Sequence, residues 1–311
     1  MINLSHLPYE IRGIARRMKM VNVVEWLKED WSLTTRLPAD RKHCYAYDPE
    51  NGYHKALRMI VCTAISLIGL YLTWEVAAIL IDKTVVPTPE ATWEALKDFA
   101  VNGDAAAGGT MTDYIWASLG TLLKGFFLAL IVAYPLGLLL GTSKTLRDLV
   151  SPALNVLRPI APVAWAPVLV ILLQSGASGA MIVVFIGVFF PLLTSVVFGV
   201  TKTDRNWIDA TRTLGASKLQ SFKLVTVPGS IPYLMNGIKT GIGIGWMCIV
   251  SAELYASSVG GLGNYITNQA GLGAWPYVFA GIVIIGILGL ITVSVVEIAS
   301  RYVDKRWGFA E

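Results

Sequence analysis

A lysine far inside an apolar run is the most costly side chain in this sequence. Lys124 stands about ten residues into such a run. A charge near mid-membrane costs about 2.5–3.5 kcal/mol on insertion scales unless it is paired or reaches water. An ammonium group facing a cavity would suit an anionic solute, whereas a snorkelling lysine or a buried ion pair explains it more plainly. Trp246 follows a run holding Gly237, Gly241, Gly243 and Gly245. These small residues at four-residue spacing let helix backbones approach closely. Packing inside one subunit is the simpler reading of them. A subunit interface or a solute path that Trp246 lines is the functional one. Glu75, Lys239 and Glu253 lie nearer the ends of apolar runs, where long side chains reach the interface; Glu253 is also a candidate for the path. Glu297 and Arg301 are spaced as an i,i+4 pair.

Other chemistry is missing from the sequence. No GxxxxGK[ST] stretch occurs, so a P-loop is excluded. His6, His43 and His54 all precede the first apolar run, which leaves no Ser/His/Asp arrangement within the spans. Cys44, Cys62 and Cys248 show no CxxC or CxH spacing, so neither a disulfide framework nor a zinc site is expected.

A polar island, Asp204 to Pro228, separates two long apolar runs. It reads as two short helices joined at Gly215. Asp204 is the expected N-cap of the first, and Trp207, Ile208, Thr211 and Leu214 share one face. Gly215 falls where a helix ends in a left-handed residue. Ser217 and Gln220 are spaced as a capping box for the second helix, Leu219 and Phe222 share one of its faces, and Pro228 is expected to end the unit.

The elements that must position these residues follow from composition. Of 311 residues, 54% are hydrophobic and 15% charged, against about a quarter charged in soluble domains. An all-α polytopic membrane protein is expected. Its spans lie at about 57–81, 114–140, 159–174, 180–200, 231–254 and 276–300, most of them near the ~20 residues that cross the hydrocarbon. Three prolines between Pro159 and Pro167 suggest a bent start to the third. Residues 1–56 are a tail with a basic amphipathic stretch through Ile11, Ile14, Ala15, Met18 and Val21, suited to an anionic leaflet or to packing on the protein's own spans. Leu37 to Tyr53 reads as an irregular linker. The first twenty residues carry Arg12, Arg16, Arg17 and Lys19 ahead of any apolar stretch, which is not the pattern of a cleavable signal peptide. Residues 84–99 suggest a short helix capped by Thr88 and opened by Pro89, and 102–110 a loop. Residues 306–311 form a short tail. With the N-terminus inside, 21 of 25 Lys and Arg fall on the inner side, so both termini and the 204–228 loop are expected in the cytoplasm. The net charge of +4 therefore implies no nucleic-acid partner.

The loop resembles the EAA loop of membrane subunits of ABC importers. That pattern is Glu-Ala-Ala, three residues, Gly, nine residues, Ile-x-Leu-Pro. Here Asp209-Ala210-Thr211, three residues, Gly215 and nine residues precede Val225-Thr226-Val227-Pro228. Further likeness to permeases of the nitrate, sulfonate, taurine and bicarbonate group runs over about 57–305. It includes residues 84–99, Ser118-Leu119 with Gly125-Phe126, Pro135-Leu136-Gly137, Pro159 to Pro167, and Ser251-Ala252-Glu253 with Gly260-Gly261-Leu262-Gly263. The resemblance implies a type I importer fold. Two permease copies would surround a central path, with two ATPase subunits on the inner side and a solute-binding protein outside. ATP and magnesium would be bound by the ATPase, with no cofactor in this chain. Asp209, Ala210, Thr211, Leu214, Gly215, Phe222 and Pro228 would form the coupling contact. The solute would be a small oxyanion or sulfonate. A secondary carrier or channel without an ATPase is the competing class, and too few paired acids lie within the spans to relay protons for it. A membrane anchor for an enzyme is a third, which leaves Lys124 and the glycine-rich span without a role.

Overall fold

The structure, a computed structural model, describes residues 52–81, 85–104, 107–173, 175–255 and 260–306. The expected amphipathic stretch at 11–21 and most of the linker lie outside the described residues. Contacts divide the chain into two units, Met1–Ser66 and Leu67–Glu311. Helix α1 (Gly52–Ile81) begins in the first and ends in the second, and it starts ahead of the expected Leu57. The second unit holds every other described element.

Its helices are α2 (Pro89–Asn102), α3 (Met111–Thr142), α4 (Lys144–Leu157), α5 (Pro162–Leu172), α6 (Gly176–Lys202), α7 (Arg205–Thr213), α8 (Lys218–Ser221), α9 (Val227–Tyr255), α10 (Leu262–Gly271) and α11 (Trp275–Arg306), with a π-turn, Phe222–Thr226, between α8 and α9. The described residues carry no strand. Local caps set several boundaries. Thr88 Oγ1 accepts from the Ala91 amide at 3.3 Å with Pro89 in the first turn. Thr110 and Asp113 form a capping box at the start of α3.

Six crossings were expected. By length and apolarity, four helices among the described residues qualify (α1, α3, α6 and α11), or five if α4 and α5 make one broken span. Two physical reasons account for the difference. The third crossing is no straight helix over 159–174, because α4 and α5 meet at 84°. Ala161, preceding Pro162, is held extended (ψ 128°), and Pro162 then opens α5. Eleven residues reach only ~16 Å, too short to cross alone. The sequence reading also missed α4, whose Leu146, Val150 and Leu154 pack on the core at helical spacing. The fifth crossing, α9, falls short in apolarity because it carries Asn236, Lys239, Glu253 and several glycines. Its 29 residues nevertheless extend ~43 Å, more than a bilayer core.

The core centres on α6, with α3 and α9 packed against it. Small residues make that closeness possible. A Cβ on Gly125 of α3 would stand 2.7 Å from Val184 Cβ, and one on Gly137 2.8 Å from Val196 Cβ. Gly187 of α6 faces Cys248 of α9 with no room for a side chain. Between helices already surrounded by apolar groups, such backbone approach supplies attraction that burial alone does not.

Candidate functional site

The loop between α6 and α9 is a folded elbow. Asp204 Oδ1 accepts from the Asn206 amide at 2.9 Å and starts α7. Gly215 has φ +86°, a conformation that side chains with a Cβ resist. It donates to Arg212 O at 2.9 Å, and Ala216 donates to Thr211 O at 3.0 Å, closing the C-terminus of α7. Ser217 and Gln220 exchange bonds of 2.7 and 3.3 Å as a complete capping box. The hydroxyls of Thr211 and Ser221 share a hydrogen bond of 2.9 Å, which ties the helices to each other.

Among its polar groups the elbow leaves several large apolar side chains in solvent. Leu214 is 88% exposed, Trp207 69%, Leu224 68% and Leu219 62%. Asp209 and Ala210 are exposed beside them. The Asp209–Arg212 pair, at 4.0 Å and well solvated, contributes little. Leu219 and Phe222 are not equivalent, since Phe222 is half-buried and opens the π-turn.

Pro228 does not end the unit, contrary to the sequence expectation. It lies in the first turn of α9, and backbone winding is continuous from Lys218 to Tyr255. The Val227 amide reaches back five residues to Phe222 O. A proline ring clashes with the carbonyl four residues earlier, and a widened turn just ahead of it moves that carbonyl aside.

The three residues considered for a solute path are dispersed. Lys124 is exposed on α3 with no partner among the described residues. It is two residues from the core-facing Leu122 and Phe126, hence on the opposite side of the helix. Trp246 points inward, and its Nε1 donates to Thr292 Oγ1 at 2.8 Å. Glu253 does not reach the interface as expected; it is completely buried. Ser118 Oγ lies 2.8 and 2.9 Å from its two oxygens, and the Gly263 amide donates to Oε2 at 2.9 Å. Gly237, Gly241 and Gly245 face α6 and α3: their Cβ atoms would stand 2.9 Å from Ser195 Cβ, 3.0 Å from Val188 Cγ1 and 2.8 Å from Leu122 Cδ1.

A second buried polar cluster centres on Asp104, within the stretch 102–110 that the sequence reads as a loop. Buried Asp104 accepts from Tyr114 Oη at 2.9 Å and Gln269 Nε2 at 3.0 Å. Tyr265 stacks on Phe99 at 4.1 Å between centroids. Partners this distant in sequence leave no local signal. A lone aspartate amid glycines and alanines is the one hint available.

Residues 125–308 match the family described as binding-protein-dependent transport system inner membrane component. A putatively assigned ABC transporter permease protein of Methanocaldococcus jannaschii is 34% identical over 75% of this chain and 86% of its own length. The taurine transport system permease protein TauC of Escherichia coli K12 is 30% identical over 79% and 88%. The nitrate import permease protein NrtB of Synechocystis is 29% identical over 75% and 85%. In three dimensions, an inward-facing MetNI methionine ABC transporter superposes with a TM-score of 0.55 at 20% identity, covering 62% of this chain and 95% of that one.

Proposed function

From the premise that the chain belongs to the binding-protein-dependent transport system inner membrane component family, we propose that its 204–228 elbow is where a separate ATPase takes hold and that a small anion is what it carries. Membership makes the chain a multi-pass permease subunit of an ABC importer, working with an ATPase and a substrate-binding protein. ATP and magnesium belong to the ATPase.

The docking reading rests on one observation: the elbow is rigidly capped and cross-bonded, yet its large apolar side chains are left in solvent. A permanently exposed apolar face on an ordered helix pair is characteristic of a binding surface. Asp209, Ala210, Thr211, Leu214, Gly215 and Phe222 belong to this contact, with Pro228 at its root. The surplus of Lys and Arg on one side supports a cytoplasmic elbow and cytoplasmic termini. Two copies of this chain would frame the path.

The anion reading is supported by relatives named for taurine, nitrate and bicarbonate and by exposed Lys124, which has no ion-pair partner among the described residues. Trp246 and Glu253, both inward-facing, would act on the path through the helices they hold.

The test is co-expression with the ATPase. Wild type should retain it through purification, and Gly215→Trp should lose it while still inserting in the membrane. Retention of both partner and uptake by Gly215→Trp would refute the docking assignment. A chain that transports with no ATPase attached would be a secondary carrier instead. Lys124→Ala should depress uptake of radiolabelled taurine or nitrate with assembly intact, and unchanged uptake removes the anion role.

A further inference from the structure

Helix α10 lacks an N-terminal cap of its own. Its N-cap position is Gly261, which has no side chain to offer its first amides. Those amides are among the four at a helix start that find no partner within the helix. Here they are met by side chains from two other helices. The Leu262 amide donates to Ser118 Oγ of α3 at 2.9 Å. The Gly263 amide donates to Glu253 Oε2 of α9 at 2.9 Å. Ser118 Oγ in turn donates to the Glu253 carboxylate. Both cap residues are fully buried. No lysine or arginine pairs with Glu253 among the described residues, so the neutral donors and the positive end of α10 hold it.

The fit is close on the glycine side. A Cβ on Gly263 would stand 2.7 Å from Glu253 Cβ and 2.7 Å from Val250 O, and one on Gly261 would overlap the carboxylate. The start of α10 is thus moulded around a side chain of α9. Beyond this point α10 reaches Asp104 through Gln269 and Phe99 through Tyr265. At its other end, α9 continues through the π-turn into the elbow.

We propose that Glu253, with Ser118, is a positioning pair that bolts α10 to the end of the α9 lever, so that displacement of the elbow is delivered to the far end of the bundle. The inference rests on the reading of the elbow as the ATPase contact. Hydrogen bonds to a buried carboxylate are short-range and directional, so α10 must follow α9 while the bolt is made and can lag when it is not.

The experiment uses the complete complex of permease and ATPase in lipid nanodiscs, with Cys44, Cys62 and Cys248 replaced. One spin label replaces exposed Lys223 on the elbow side and another exposed Leu272 at the end of α10. Spectra are recorded before and after magnesium and a non-hydrolysable ATP analogue are added. In the otherwise native chain both labels should respond. In Glu253→Leu and Ser118→Ala the Lys223 label should still respond and the Leu272 label should not, and Glu253→Gln, which keeps an acceptor oxygen, should restore part of the response. A cap that only stabilises would lower the melting temperature and leave the Leu272 response intact, which overturns the proposal. So does a Leu272 label silent in the native chain while the Lys223 label responds. If neither label responds and no ATPase is retained, the docking reading falls, and this inference with it.

Discussion

The two ends of α9 are built on opposite plans. At its N-terminal end, the elbow keeps hydrogen bonds local and leaves Trp207, Leu214, Leu219 and Leu224 in solvent. At its C-terminal end, Glu253 is bonded to Ser118 and to the start of α10, and α10 in turn carries Gln269, bonded to Asp104, and Tyr265, stacked on Phe99, all of them buried. One end leaves large apolar side chains uncovered by the chain, and the other pairs its buried polar groups within it, save the Tyr265 hydroxyl, which is sealed in without a hydrogen-bond partner among the described residues. Polar groups sealed from water must find partners, whereas apolar groups left in water gain free energy only when another surface covers them. On the proposed reading the first end is where a partner takes hold, while the second is held by its own neighbours.

The contrast can be broken most directly at the gripping end. Trp207→Ala combined with Leu214→Asp should abolish co-purification of the ATPase, while the melting temperature of the isolated permease stays put, since exposed changes usually fall within about 0.5 kcal/mol. A large loss of stability would mean that these side chains are core after all. Next in size is the seam between the ends. Gly245→Leu forces a side chain where Leu122 Cδ1 and Val188 Cγ2 stand 2.8 and 3.3 Å from even a Cβ. Overpacking of this kind costs about 1–3 kcal/mol, read as a lower melting temperature in detergent. At the self-contained end, Tyr114→Phe removes one donor from Asp104. It should cost about 1–2 kcal/mol, leaving ATPase binding unchanged.

The smallest effect is a pH dependence. The hydrogen bond from Tyr277 Oη to Asp98 (2.7 Å), followed by that from Asn102 Nδ2 (2.7 Å), holds the Asp98 carboxyl below its ordinary value of 3.8. A carboxyl whose folded value is depressed adds stability at pH above its unfolded value, and that contribution fades as pH falls through the folded one. Tyr277→Phe should make the acid-side decline in melting temperature slightly shallower; an unchanged profile would remove this linkage.

Features set by near neighbours were legible in the sequence. Asp204, Gly215 and the Ser217–Gln220 box are caps whose partners lie within a few residues, so type and spacing suffice. The membrane class and most span positions follow from apolar runs that need no partner to be recognised. The bent α4–α5 pair was half legible: its prolines announced a bend, while α4 received no element because Lys144, Arg147, Asp148 and Asn155 break its apolar residues into runs too short to read as a span. Pro228 misled because a proline reads as a stop, and only the backbone reveals that the preceding turn widens to let the helix through. Glu253 was illegible for another reason. Its partner Ser118 is 135 residues away, and a carboxylate near the end of an apolar run looks the same whether it reaches water or caps another helix.

The widened turn at Phe222–Thr226 has a consequence for how this chain tolerates insertions and deletions. Relative to ordinary winding, such a turn stores one surplus residue. Deleting a residue there, together with replacing Pro228 so that no ring meets the returned carbonyl, lets the winding regularise and leaves the phase of the chain on either side in place. The same deletion within Gly237–Gly245 would swing the glycine seam about 100° away from α6. Length variation along α9 should therefore be absorbed at its root and rejected at its middle.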